Sequence, residues 1–314
     1  MRRIRTDRME QLSMKKLDRD CLRVTGSDAL RFLQGMLTCD LKRAVQATSD
    51  SGLAGGFGWF LTNKGKPVGE IVFVAEGPEL FWLSIPAGYG EKVRVALDHY
   101  LVADDVELVA DNATFANCVY AVPNALASVT TAMLEASVPD AKDRIYRVER
   151  HAWGWSVPRG LLGPSHCELW VKDASAMPTG LRDMSVEEFR ALRIDAGVAE
   201  WGVDYGEEDL ILEFPTSLGI SFFKGCYIGQ EVVARATYRG KTNKSFARFA
   251  GEDDLVLGFL YSDKDPEKPV GKLTSVVGTR ALGLVRLAAL EGDGGLFQKS
   301  EGAPVRILKV DLLT

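Results

Sequence analysis

The chain has 314 residues, 46% of them hydrophobic and 26% charged, and a formal net charge of −5. That length holds two or three domains of ordinary size, the composition is that of a globular protein, and no apolar run approaches the roughly 20 residues that cross a bilayer as a helix. The acidic balance argues against a surface built to coat nucleic acid; the basic start MRRIRTDRMEQLSMKKLDRD lacks the apolar stretch of a secretory signal, so the cytoplasm is the expected compartment.

Ser27 stands where it can cap a helix through DALRFLQGMLT, in which Leu30, Leu33 and Leu37 recur at helical spacing. A glycine-rich run and FLTNKGKPVGEIVF predict a hairpin turning at Asn63-Lys64-Gly65, with its second strand from Glu70 to Ala75. LFWLSIP reads as a strand, EKVRVALDHYLV as an amphipathic helix with Val93, Leu97, Tyr100 and Leu101 inward, and VELVAD as another strand, an α+β pattern. Beyond a polar stretch around Pro139, WGWSVP and CELWVK are strand-like, and Ser185 with Glu188 forms a capping box for a helix that Gly197 can end. From about residue 240, KSFARFAG, GFLYS, KLTSVVG, ALGLVRL and APVRILKVDLL predict a small all-β domain.

Five cysteines, Cys21, Cys39, Cys118, Cys167 and Cys226, are widely spaced and odd in number, which favours free thiols. None forms a C-x2-C pair and there are only three histidines, so no metal site is predicted. KGCYIGQEVVAR, residues 224–235, sets Cys226 between Gly225 and Gly229, beside Lys224 and ahead of a helix that starts near Gly229. A helix N-terminus and an adjacent ammonium both favour thiolate, whereas an isolated cysteine next to Tyr227 and Ile228 also suits a small buried hydrophobe. Glu231 and Arg235 stand at i, i+4, an ordinary surface pair that follows Gln230. Arg235, Arg239, Lys241, Lys244 and Arg248 then gather positive charge, either for an anionic partner or as a solvated face.

The stretch Lys224-Gly225-Cys226-Tyr227-Ile228-Gly229-Gln230-Glu231, with Arg235 after it, resembles the signature of the YgfZ-type folate-binding proteins, relatives of the glycine-cleavage T-protein (aminomethyltransferase). GSDALRFLQGMLTCDL, FLTNKGKPVGEIVF, LRIDAGVAEWGVDY, GKLTSVVG and ALGLVRL extend the resemblance over nearly the whole chain. It implies an α+β, three-domain ring-like fold: residues 1–50 plus 142–235 as one α+β lobe, 51–141 as a second and 240–314 as a C-terminal β-barrel, with tetrahydrofolate or a one-carbon derivative at the centre. By the same resemblance, Glu168 takes the position of the glutamate that binds the pterin, where a carboxylate accepts two parallel N–H bonds, and Arg193 that of an arginine near the folate carboxylates. The T-protein's catalytic aspartate pair is replaced by Gly69-Glu70, and residue 69 and Glu70 fall on opposite faces of a strand, which puts aminomethyl transfer in question. The resemblance implies instead a role in maintaining iron–sulfur enzymes, including one that modifies tRNA, with Cys226 as the reactive residue. A folate-dependent transferase and a tRNA- or protein-binding adaptor using the basic segment after residue 235 are the alternatives.

Overall fold

A computed structural model describes residues 13–115, 117–122, 145–158, 167–176, 182–215, 219–239, 242–291, 294–300 and 303–313. β1 (Ser13–Leu17) and β2 (Arg19–Thr25) lead into α1 (Ala29–Met36) and α2 (Leu41–Ser51). The hairpin β3 (Ala54–Leu61) and β4 (Pro67–Ala75) follows, then β5 (Leu80–Pro86), α3 (Gly90–Asp98), β6 (Glu107–Ala110) and β7 (Asn117–Val122). β8 (Tyr146–Arg147), β9 (Glu149–His151), β10 (Gly154–Pro158), β11 (Cys167–Val171) and β12 (Arg182–Asp183) precede α4 (Val186–Ala196) and α5 (Gln230–Arg239). The chain closes with β13 (Lys244–Gly251), β14 (Gly258–Ser262), β15 (Gly271–Val277), β16 (Arg280–Arg286), β17 (Leu296–Gln298) and β18 (Val305–Leu312).

These strands form two six-stranded sheets, β6-β2-β5-β4-β3-β8 and β12-β1-β7-β11-β10-β9, and a closed barrel β13-β16-β15-β14-β17-β18. The first sheet is covered on both faces, which is why β3 and β4 read as nearly continuous apolar runs. Along β4, Ile71, Phe73 and Ala75 join the core shared with Phe32, Leu33 and Val93 of the helices. Val72 and Val74, pointing the other way, join Trp82, Trp155 and Trp170 in the core between the two sheets. The barrel has a core of its own around Ala247, Phe249, Leu260 and Leu273.

Pairing distributes the chain differently from the expected lobes. β2, α1 and α2, placed with the first lobe, belong to the β3–β4–β5 unit, because β2 pairs with β5 from Arg19↔Pro86 to Thr25↔Leu80. Conversely β7, expected in the second lobe, lies between β1 and β11 in the other sheet. Several local expectations are also revised. Asp28, not Ser27, is the N-cap of α1, since the Ser27 hydroxyl donates to Asp105 instead. α2 has no counterpart in the sequence reading. α3 ends at Asp98, so Val93 and Leu97 are buried while Tyr100 is exposed. The capping box of Ser185 and Glu188 does start α4, and Gly197 (φ +72°) ends it in the left-handed conformation that glycine tolerates best.

Candidate functional site

The loop of the KGCYIGQE motif is tied to the connection between α1 and α2. Thr38 is the strut: its hydroxyl donates to the Gly219 carbonyl at 2.6 Å and accepts from the Trp59 amide at 2.8 Å, while its own carbonyl accepts from the Ser221 amide. Ile228 N–H donates to the Gly35 carbonyl at 3.0 Å. Lys224, only 8% exposed, donates from Nζ to the carbonyls of Leu37 (2.6 Å) and Cys39 (2.7 Å), and its ammonium lies 5.3 Å from the Tyr227 ring centroid. Gly229 (φ +82°) lets the chain graze the β3–β4 turn before α5 begins: a Cβ there would sit 2.6 Å from the Thr62 carbonyl oxygen.

The charge expected beside Cys226 therefore points elsewhere. Lys224 faces inward toward Cys39, and burial lowers its pKa to about 8, the nearby Cys39 and Asp40 pulling the other way. Cys39 is itself fully enclosed, its thiol pushed up to about 12 by burial in spite of Lys224. Cys226, four positions ahead of the first residue of α5, is exposed. It opens on a groove of about 740 Å3 lined by Arg31, Gln34, Gly35, Asp40, Lys42, Arg43, Gln46, Phe223, Lys224 and Gly225. Tyr227 is buried behind the loop and its phenol is pushed up to about 12 by burial. Gln230 opens α5, and Glu231 pairs with Arg235 at 2.5 Å, both well exposed. The basic segment beyond is partly spent: Arg248 bonds Asp311 and the Asp195 carbonyl, and Lys241 lies outside the described residues.

Glu168 and Arg193 occupy the interior. Glu168 is wholly buried on β11, on the face that carries Trp170, whose indole N–H donates to its carboxylate at 3.2 Å. Trp170, Trp155, Phe115 and Trp82 form one aromatic cluster, with ring centroids 4.6 to 6.1 Å apart among the contacting pairs. At its rim Lys172 sets its ammonium 4.5 Å from the Trp155 ring centroid and 4.8 Å from that of Phe115.

Arg193, in the last turn of α4, has all four terminal N–H directions filled: Val198 carbonyl and Asp204 on Nη1, Ser275 and Glu200 on Nη2, at 2.7 to 3.0 Å. Asp204 also accepts from Thr274 and Ser275, so this arginine clamps α4 and the following loop to the barrel. A ligand carboxylate cannot take the guanidinium fork without displacing those partners; only Nε, itself buried, lacks one. Arg193 nevertheless lines a cavity of about 380 Å3, together with Lys15, Lys16, Arg19, Glu70, Arg190, Glu200 and Trp201. Burial, reinforced by Asp204 and Glu70, pushes the Glu200 carboxyl above the usual range despite Arg193. Glu168 is not among the residues lining this cavity. Gly69 faces α3, where a Cβ would meet Val93 at 2.7 Å, whereas Glu70 faces the cavity, held by Arg19 at 3.1 Å and the Tyr205 hydroxyl at 2.6 Å.

Sequence reading missed Lys42, Arg43 and Phe223, whose nearness to Cys226 depends on the unrecognised α2 and on the Thr38 strut. It missed Asp204 as well, which sits within the quoted LRIDAGVAEWGVDY but gives no local sign of reaching the barrel. Among the described residues no cluster of His, Cys, Asp and Glu could hold a metal ion, and no helix is long and apolar enough to cross a membrane.

Comparison with known proteins agrees with this fold. Residues 262–313, most of the barrel, match the family described as "CAF17, C-terminal beta-barrel domain". The tRNA-modifying protein YgfZ of Edwardsiella ictaluri is 27% identical over 283 residues, covering 88% of this chain and 80% of that protein. That of Escherichia fergusonii is 26% identical over 239 residues, covering 73% and 68%. The glycine cleavage system aminomethyltransferase T from Bartonella henselae superposes with a TM-score of 0.73 over 95% of this chain and 84% of its own, at 14% identity. The chain thus has the T-protein fold, mixed α/β with a closed C-terminal barrel, and the resemblance to YgfZ runs along most of its length.

Proposed function

We propose that this chain is a folate-binding accessory protein that supports the upkeep of iron–sulfur enzymes, tRNA-modifying ones among them, and that Cys226 is its working thiol. The observation that carries this reading is the contrast among cysteines. Cys226 opens on a groove of about 740 Å3, whereas Cys21 and Cys39 are buried, with thiols pushed up to about 12 by burial. A thiol that can meet another molecule stands on the side the sequence motif singles out, and relatives over most of the chain are named as tRNA-modifying proteins.

The residues present fit a folate. Glu168 is a buried carboxylate among indole rings, the acceptor and the flat apolar wall that a pterin calls for. Glu168 would hold the pterin edge; Lys15, Lys16 and Arg190 line the cavity at Arg193, which Glu168 does not line. Arg193, its fork filled by protein partners, would hold α4 and the following loop on the barrel rather than bind. Bound tetrahydrofolate would supply one-carbon carriage. A one-carbon transferase remains the second reading because Glu70 puts a carboxylate on the cavity, but Arg19 and Tyr205 already engage both of its oxygens.

Two measurements test the proposal. In cells lacking the protein, Cys226→Ser should fold normally yet fail to restore iron–sulfur enzyme activity; full rescue would remove the thiol from the mechanism. By calorimetry, tetrahydrofolate should bind one per chain and Glu168→Ala should weaken it by roughly ten- to a hundredfold, the loss of two charge-assisted hydrogen bonds. Unchanged affinity in a folded variant would take Glu168 out of the site.

A further inference from the structure

A reactive thiol needs only access, yet the groove at Cys226 offers about 740 Å3 and is lined by the cations Arg31, Lys42, Arg43 and Lys224 against one carboxylate, Asp40; of these cations Arg31 is paired with Asp28 and Asp104 and Lys224 is turned inward onto backbone carbonyls. That balance stands out in a chain of net charge −5. Asp40 is 8% exposed and occupied, accepting from the Arg43 amide and from Gln34 Nε2. Gln34 also covers the Leu41 and Lys42 amides at the start of α2, so the positive potential of the groove belongs to side chains, not to a bare helix end. Lys42 is exposed and makes no ion pair among the described residues. Phe223, 73% exposed, lines the same groove, and Phe222 before it is 40% exposed. Cations beside an exposed phenyl face are the pairing by which single-stranded nucleic acids are held, phosphates on the charges and a base on the ring. Stacked, paired bases offer no such face.

We propose that this groove docks unpaired nucleotides of an RNA strand, with phosphates on Lys42 and Arg43 and one base on Phe223, which brings the neighbouring nucleotide to Cys226. The inference rests on the tRNA-related reading above and gives that site the chemistry of its partner. It moves the RNA surface away from the basic segment after residue 235, where Arg235 is paired with Glu231 and Arg248 with Asp311.

The test is fluorescence anisotropy of a labelled single-stranded RNA 12-mer with the full chain across a salt series. Phe223→Ala should weaken binding about tenfold, within the range for one base stacked on an aromatic side chain. The double variant Lys42→Gln, Arg43→Gln should flatten the slope of log affinity against log salt by about 1.4, roughly 0.7 for each charge removed. All three positions are on the surface, and urea midpoints equal to wild type check that the variants fold. Equal RNA affinity in wild type and both variants would overturn the proposal, as would equal binding of a duplex of the same length or competition by an acidic peptide at comparable concentration. The two readings separate cleanly. RNA binding lost in the groove variants alongside a functional Cys226→Ser keeps the docking site and removes the thiol's role; unaffected RNA binding alongside a non-functional Cys226→Ser does the reverse.

Discussion

The groove at Cys226 and the interior at Arg193 hold similar chemical groups, several cations, few carboxylates and an aromatic wall, but their hydrogen bonds go to different places. Around Arg193 every terminal N–H ends on a protein acceptor, and those acceptors belong to the loop after α4 and to the barrel. At the groove Lys224, Asp40 and Gln34 are tied into the fold in that way and Arg31 pairs with Asp28 and Asp104, while Lys42, Phe223 and Cys226 are exposed. The same residue types serve cohesion in one region and leave capacity for a partner in the other. Burial decides which, because a polar group shut away from water has to find its partner within the chain.

The strongest way to break that comparison is to strand the buried charge. Asp204→Ala removes an acceptor from Arg193, Thr274 and Ser275 at once, and should cost about 3–5 kcal/mol in urea unfolding, the range for breaking a buried pair on one side. Lys42→Gln, in the groove, should stay within about 0.5 kcal/mol. A loss below about 1 kcal/mol for Asp204→Ala would mean that the interior is wetter than its burial implies.

Alkaline titration sharpens the contrast next. Cys21, Cys39 and Tyr227 are held neutral with pKa pushed up to about 12, from ordinary values of 9 for the thiols and 10 for the phenol. Above pH 9 the unfolded chain gives up these protons first, so the stability they contribute is complete below pH 9 and is lost as pH rises toward 12. Lys224 acts in the opposite sense: lowered from 10.5 to about 8, it is relieved of its burial penalty between those values. Between pH 8 and 9 only Lys224 titrates, so stability should rise slightly; above pH 9 three groups oppose one and it should fall by several kcal/mol toward pH 12, each group losing roughly 1.4 kcal/mol for every pH unit that separates its folded and unfolded titrations. Cys39→Ala should show a shallower fall in chemical denaturation between pH 9 and pH 11. An equal fall would place the alkaline weakness outside the core.

The smallest effect belongs to the motif's own ion pair. Arg235→Ala separates two exposed side chains at i, i+4 and should change the unfolding free energy by only a few tenths of a kcal/mol. A larger change would give α5 a contact that its exposure conceals.

How much of this was legible depended on range. The capping box at Ser185, the strand LFWLSIP and five of the six barrel strands followed from local pattern, since spacing and turn residues report structure within a few positions; the short β17 did not. The lobe boundaries did not follow, because the pairing of β2 with β5 joins residues about sixty positions apart and leaves no local trace. Among the candidate residues, the motif marked one loop, but the adjacency of Lys224 and Cys226 in sequence said nothing of direction, and the lysine turns inward while the thiol faces out. Arg193 was likewise picked out by position, whereas its partners Asp204 and Ser275 come together only when the barrel docks on α4.

The ammonium of Lys172 over the Trp155 and Phe115 rings has an optical consequence. A fixed positive charge against an indole alters the energy of its excited state, and Trp155 and Trp170 stack together beside Glu168. A ring arriving at that carboxylate would enter the same aromatic cluster and displace the lysine from its perch. Tetrahydrofolate bound there, as proposed above, would register in intrinsic tryptophan emission with no label attached, and Lys172→Met would silence the part of the signal that comes from the charge.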